Sequence, residues 1–380
     1  MRIADLRAVP ISFPVPADKS VRLGIGRSVK RDAVLVRVET EEGHVGWGEA
    51  HHGRCPGAIA KLLDTTMREL VLGLDANDVT GVWARVYKMQ LASHGMGAAA
   101  AMALSGLDMA LWDLRCQAVG WPLYRLLGGA AKPIKAYAGG IALGWQEPAL
   151  LAEEALGHIA TGYRALKLRV GDTAAKDISR VQAVRKAVGD DIDILVDANT
   201  NYTLDDVRKV MPAYDEAAVG WLEEPFPPQD RRAYAAAALL GRTPLAAGEN
   251  HFTRYEFATL IEDGHVQFMQ PDLSKTGGVT EALRIAAMAS AQKLTVNPHT
   301  SATAINMATT IHFLCGVDNP GYFEGDVTSL NPFRDHLADK APYALDSNGC
   351  VTAYDGVGIG LVIDLDFIAD HPLIDGPCYV

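Results

Sequence analysis

A chain of 380 residues with 49% hydrophobic content can bury a large core and has room for two domains. Its net charge of −11 argues against nucleic acid or an anionic membrane surface as a partner, but a few local cations could still hold a small anionic substrate. No apolar run approaches the roughly 20 residues of a membrane span, Met1-Arg2-Ile3-Ala4-Asp5 lacks a signal-peptide pattern, and Cys55, Cys116, Cys315, Cys350 and Cys378 have neither metal nor disulfide spacing. A cytoplasmic location is therefore expected.

Residues 3–13 and 33–50 alternate apolar and polar side chains around a turn at Glu42-Gly43-His44, which predicts an antiparallel meander. Helical spacing takes over near Gly57, and 97–129 reads as one long apolar helical region closed by paired glycines. Between the two strands lies a Gly-containing loop, 15–31, with Lys19, Arg22, Arg27, Lys30 and Arg31. Folded over a site, it would be a lid for substrate carboxylates. His52 and Arg54 in EAHHGRCPG could complete that lid, so Arg22, Arg27, His52 and Arg54 are the expected substrate-binding residues.

After Lys132-Pro133 the pattern becomes alternating strands and helices. Strands are expected at 134–140, 165–170, 192–199, 219–225, 244–250, 265–272, 294–300 and 321–326. Eight strands, most followed by an amphipathic segment, define an α/β fold of the TIM-like barrel type, whose active site lies at the strand C-termini. Asp197, Glu223 and Glu249 fall 26 residues apart and 26 again, which sets them at one level of successive parallel strands. Three carboxylates meeting there would repel one another without a cation. An all-oxygen set favours a hard ion, Mg²⁺ first and Mn²⁺ second.

The other strand ends supply Lys167 and Arg169, on one face of the second strand, then Asp272, His299 and Glu324. A hard cation amid these groups suits removal of a proton beside a carboxylate, through an enediolate dianion. The GWGEA strand, the LSGLDMALWDLR helix, Lys-x-Arg, the Asp, Glu, Glu set, PDLSKTGG, NPHTS and FEGD together resemble the mandelate racemase subgroup of the enolase superfamily over nearly the whole chain.

That resemblance implies an α+β capping domain at 1–130, a modified (β/α)7β barrel at 131–330, and a segment at 331–380 returning to the capping domain. It also implies Mg²⁺ on Asp197, Glu223 and Glu249, an Asp272–His299 dyad as base or acid, and Glu324 hydrogen-bonded to the substrate carboxylate. The assembly it implies is an even-numbered homo-oligomer, dimer to octamer.

Several members of the subgroup carry Lys-x-Lys where this chain has Arg169, and a guanidinium is a poor base. Lys167 then reads as a fixed cation beside the substrate carboxylate, or alternatively as a base. The expected reaction is dehydration of a hydroxylated or sugar acid or diacid to a 2-keto acid. A racemase, epimerase or cycloisomerase is the alternative, and a non-catalytic barrel the remote one. Lys275, inside the SKTGG turn, is assigned no role from sequence.

Overall fold

A computed structural model describes residues 1–300 and 302–380. β1 (Ile3–Pro14), a two-rung hairpin of β2 (Arg22–Leu23) and β3 (Gly26–Arg27), β4 (Lys30–Thr40) and β5 (Val45–Ala50) come first. β1, β4 and β5 form an antiparallel sheet in that order. Four helices follow, α1 (Pro56–Lys61), α2 (Arg68–Val71), α3 (Val79–Gln90) and α4 (Ala98–Val119). Val34, Val36 and Val38 of the sheet pack with Val82 and Val86 of α3 and Leu104, Leu107 and Leu111 of α4 in one buried cluster.

The expected apolar helical region over 97–129 holds two helices. Gly120, at φ 68°, ends α4 in the left-handed region that favours glycine. Pro122 then precedes the short α5 (Leu123–Leu126).

The two glycines of GWGEA let β5 lie directly on α4. A Cβ at Gly48 would sit 2.1 Å from the carbonyl oxygen of Gly106, and one at Gly46 would sit 2.2 Å from that of Ala110. We expect Gly48→Ala to destabilise the protein by about 2–3 kcal/mol, the usual scale of overpacking. Urea denaturation measures this; an unchanged midpoint would mean that the helix can move away freely.

The eight expected barrel strands are all present: β6 (Ile134–Gly139), β7 (Ala165–Arg169), β8 (Asp193–Asp197), β9 (Val219–Glu223), β10 (Leu245–Ala247), β11 (Phe268–Met269), β12 (Thr295–Val296) and β13 (Phe323–Asp326). They run parallel, and β13 pairs with β6. The ring closes through a single parallel bridge between Val296 and Pro320. The helices that follow the first seven strands are α6 (Pro148–Ala160), α7 (Ala174–Val188), α8 (Leu204–Glu216), α9 (Arg231–Ala237), α10 (Thr253–Asp263), α11 (Gly278–Ala291) and α12 (Ala304–Gly316). This is the (β/α)7β pattern. Tyr137, Ala165, Leu195, Trp221 and Ala246 fill the barrel floor, so the cavity opens only at the strand C-termini.

Beyond β13 come α13 (Pro332–Asp335), β14 (Cys350–Val351) and α14 (Leu365–Asp370). β14 stays with the barrel, antiparallel to β6. Farther on, Pro372 bridges Ile11 and Tyr379 bridges Ser28, which brings the last residues onto the N-terminal sheet and hairpin. Among the described residues, no helix is long and apolar enough to cross a membrane.

The LSGLDMALWD and TGG motifs are two sides of one contact. Ser105, Asp108 and Trp112 lie on one face of α4, at helical spacing. Ser105 Oγ accepts from Gly277 N–H at 2.8 Å, Asp108 Oδ2 from Thr280 N–H at 2.9 Å, and Trp112 Nε1–H donates to Thr280 Oγ1 at 2.9 Å. Trp83 Nε1–H donates to the Gly277 carbonyl at 2.9 Å. The first turn of α11 is thereby capped from another domain.

Burial pushes the Asp108 carboxyl up to about 7, against the hydrogen bonds from Thr280. A carboxyl raised in the folded state contributes stability in full below its unfolded pKa and loses it as pH rises through the folded value. Asp108→Asn keeps an acceptor for Thr280 without this ionisation. Its stability relative to the parent should therefore improve between pH 4 and pH 7 and then level off. Denaturation midpoints across that range test this, and a flat difference would refute it.

Candidate active site

The strand ends bring Asp197, Glu223, Glu249, Asp272, His299 and Glu324 to one mouth, with Lys167 and Arg169 among them. Lys167 is completely buried. Its ammonium lies 2.9 Å from Glu223 Oε1, 3.0 Å from Glu324 Oε1 and 3.6 Å from Asp197 Oδ2. Burial works against the charge, but Glu223 and Glu324 outweigh it and hold the Lys167 pKa well above the usual lysine range. The Arg169 guanidinium pairs with Asp197 and donates to the Gly140 carbonyl at 2.6 Å. Both side chains are ion-paired to carboxylates of the site.

The three expected metal carboxylates are each held by a cation of the protein. Asp197 is on Arg169, Glu223 on Lys167, and Glu249 on Lys275 at 3.2 Å and His299 Nε2 at 2.8 Å. Their donor oxygens are not all within 4.8 Å of one another, and Lys167 and Arg169 reach the same acidic centre from the neighbouring strand. Among the described residues, the one set of three potential ligands with all donor atoms within 4.8 Å of one another is Asp32, His52 and Cys378. An ammonium already serves that set, since Lys30 Nζ lies 2.9 Å from Asp32 Oδ2.

The chemistry of the carboxylate centre nevertheless fits a hard cation. Its donors are all oxygen, and negative charge is in surplus. Burial, with Glu249 and Asp197 nearby, pushes the Glu224 carboxyl up to about 8, as crowded acids do when uncompensated. Supporting groups fix the ligand side chains. Trp221 Nε1–H and Gln270 Nε2–H donate to Glu223 Oε2 at 3.1 and 2.7 Å, and the Asn199 backbone N–H to Asp197 Oδ1 at 2.8 Å.

Asp272 and His299 form the expected pair, with His299 Nδ1 2.6 Å from Asp272 Oδ2. Asp272 Oδ1 accepts from the Ser274 backbone and hydroxyl, both at 2.7 Å, and from Asn306 Nδ2–H at 3.0 Å. Burial would depress the His299 pKa; the Glu249 carboxylate, aided by Asp272, instead holds it up to about 10. One of its nitrogens is oriented by Asp272, and the other, Nε2, meets Glu249 at 2.8 Å, while the ring lines the cavity.

Glu324 Oε1 accepts from Gly140 N–H and Oε2 from Thr300 N–H, both at 3.2 Å. Burial opposes its ionisation, but Lys167, His299 and Arg169 bring its pKa down to about 2.

Arg169, Glu249, Lys275 and His299 line a cavity of about 440 Å³ roofed by the capping domain, with Leu23, Ile25, His52, Arg54 and Tyr379 along its wall. His52 and Arg54 therefore stand where the sequence places them. Arg22 and Arg27 do not. They pair with each other across the β2–β3 hairpin, and both side chains are exposed outside the cavity. Strand alternation turns Leu23, not the arginines, inward. Lys275, given no role from sequence, reaches Glu249. Glu224, Gln270 and Asn306 were also missed; the doubled acid of WLEEP was a readable signal for the first, and nothing local marked the other two.

Residues 8–128 match the mandelate racemase / muconate lactonizing enzyme N-terminal domain, and residues 150–367 match the enolase C-terminal domain-like unit. The chain belongs to the mandelate racemase and muconate lactonizing enzyme family of the enolase superfamily. It is 32% identical over 346 residues to a 3,6-anhydro-alpha-L-galactonate cycloisomerase of Streptomyces coelicolor, covering 90% of this chain and 91% of that one. It is 28% identical over 365 residues to an arabinonate dehydratase of Saccharolobus solfataricus, covering 95% and 96%.

Among solved structures, a member of the enolase superfamily from Polaromonas sp. JS666 is 51% identical with a TM-score of 0.97, covering both chains fully. A racemase from Streptomyces coelicolor A3(2), solved with bound magnesium, is 30% identical with a TM-score of 0.87, covering 98% of this chain and 100% of that one.

Proposed function

We propose that this chain dehydrates a hydroxylated sugar acid or diacid to a 2-keto acid. One observation carries the reading: of the imidazoles lining the cavity, His299 is ion-paired to a carboxylate, Asp272, whereas His51 and His52 accept backbone N–H bonds, and the cations facing the carboxylate centre, Lys167 and Arg169, are buried and ion-paired. Racemisation needs a proton carrier on each face of the carbon. A β-elimination needs one that first takes a proton and then returns it.

In this scheme His299 Nε2 takes the proton from the carbon beside the carboxylate, and the released electron pair becomes the enediolate. That pair then expels the hydroxyl of the next carbon, which leaves as water with the proton from His299. The remaining enol tautomerises to the keto acid. Lys167 balances charge at the substrate carboxylate, and Arg54 and His52 face its far end. Mg²⁺ held by Asp197, Glu223 and Glu249 would bind that carboxylate and spread the enediolate charge.

Likeness to the cycloisomerase favours a second reading, in which the departing β oxygen belongs to a ring and stays attached. Incubating a panel of sugar acids, diacids and their anhydro or lactone forms with Mg²⁺ in D₂O separates the two. Keto acid lighter by one water supports dehydration; keto acid of unchanged mass supports ring opening. Deuterium at the α carbon without keto acid would overturn both in favour of racemisation.

A further inference from the structure

We propose that Glu49, a residue of the capping sheet, is a positioning residue for the Asp272–His299 pair. It lies at the end of β5, is 1% exposed, and does not line the cavity. Its Oε2 accepts two hydrogen bonds from the start of α12, one from the Thr303 hydroxyl and one from the Asn306 backbone N–H, the latter at 3.1 Å. The side chain of the same Asn306 donates to Asp272 Oδ1 at 3.0 Å, and Asp272 Oδ2 meets His299 Nδ1 at 2.6 Å. A continuous chain of contacts thus runs from Glu49 through Asn306 and Asp272 to the imidazole.

A second strut leaves the same strand end. His51 N–H donates to the Ser274 carbonyl at 3.0 Å, and Ser274 holds Asp272 Oδ1 through its backbone N–H and hydroxyl. Burial, aided by the charge of Asp272, pushes the Glu49 carboxyl up to about 7. No cation pairs with it among the described residues. A buried carboxyl whose accepted hydrogen bonds all run to one helix start orients that helix start. The tight seat of β5 on α4 at Gly46 and Gly48 fixes where Glu49 stands.

The inference rests on Asp272 and His299 being the acid–base pair, but its test reads their hydrogen bond directly. In full-length protein labelled with ¹⁵N-histidine, the Nδ1 proton shared with Asp272 is assigned by its absence in His299→Asn. Glu49→Met keeps the volume, removes the acceptor, and should abolish or broaden that resonance. Glu49→Gln, which still accepts, should restore it. On whichever acid is found to turn over, Glu49→Met should lower kcat about tenfold with KM little changed.

Thr303→Val removes one of the two bonds from the other side and gives the same signature should Glu49→Met fail to fold. An unchanged resonance in a folded Glu49→Met or Thr303→Val protein overturns the positioning role. A lost resonance with full turnover would instead overturn the assignment of the pair as base.

Discussion

Replacing His299 by asparagine is expected to lower kcat by roughly 10²- to 10⁴-fold, the range general acid–base catalysis supplies. The amide can still donate to Asp272 Oδ2, where His299 Nδ1 lies at 2.6 Å, so the Asp272 turn should keep its shape. What disappears is the second nitrogen, Nε2, which in the proposed scheme takes and returns the proton. Exchange of the substrate α proton with deuterated solvent should fall with kcat. If exchange continued at the parent rate while keto acid vanished, the base would lie elsewhere and His299 would serve only the departing hydroxyl.

Lys167→Met is expected to cost roughly 3–5 kcal/mol of stability at neutral pH, as when one partner of a buried ion pair is removed. Asp197, Glu223 and Glu324 all lie within 3.6 Å of the ammonium and would lose a shared counter-ion. The pH dependence follows from Glu324. Its depressed pKa contributes stability in full above the unfolded carboxylate range, and that contribution is lost as pH falls toward about 2. In the variant most of it is gone, so the gap between parent and variant should narrow on acidification. A gap that stayed constant from pH 7 down to about pH 3 would show that lost packing, not charge, set the cost.

The parts of the site legible in the sequence were those fixed by strand period. Asp197 and Glu223 end β8 and β9, Glu249, Asp272 and His299 follow β10, β11 and β12 by two or three residues, and Glu324 lies in β13; parallel strands bring all of these to the same end of the barrel. Lys167 and Arg169 could be put on one face for the same reason. What escaped was set by tertiary direction. Lys275 sits in a turn held by α4, and nothing near it in sequence says that it reaches Glu249. Arg22 and Arg27 have the composition of a lid, yet the alternation of a two-rung hairpin sends them out. The break at Gly120 was hidden because the apolar pattern continues on both sides of it.

The sheet itself is unevenly built. β7, β8 and β9 have five residues each, whereas β10 has three and β11 and β12 two, and the seam between β12 and β13 is one bridge. The half of the barrel that carries Lys275, Asp272 and His299 takes much of its order from α4 and β5, through Ser105, Asp108, Trp112 and Glu49. Cooperative opening should therefore cut across the domain boundary. Backbone amides of 268–269 and 295–296 should exchange with solvent in step with α4, and those of 193–197 more slowly. In such a molecule the capping domain and the catalytic half-barrel are one folding unit, and the carboxylate half is another.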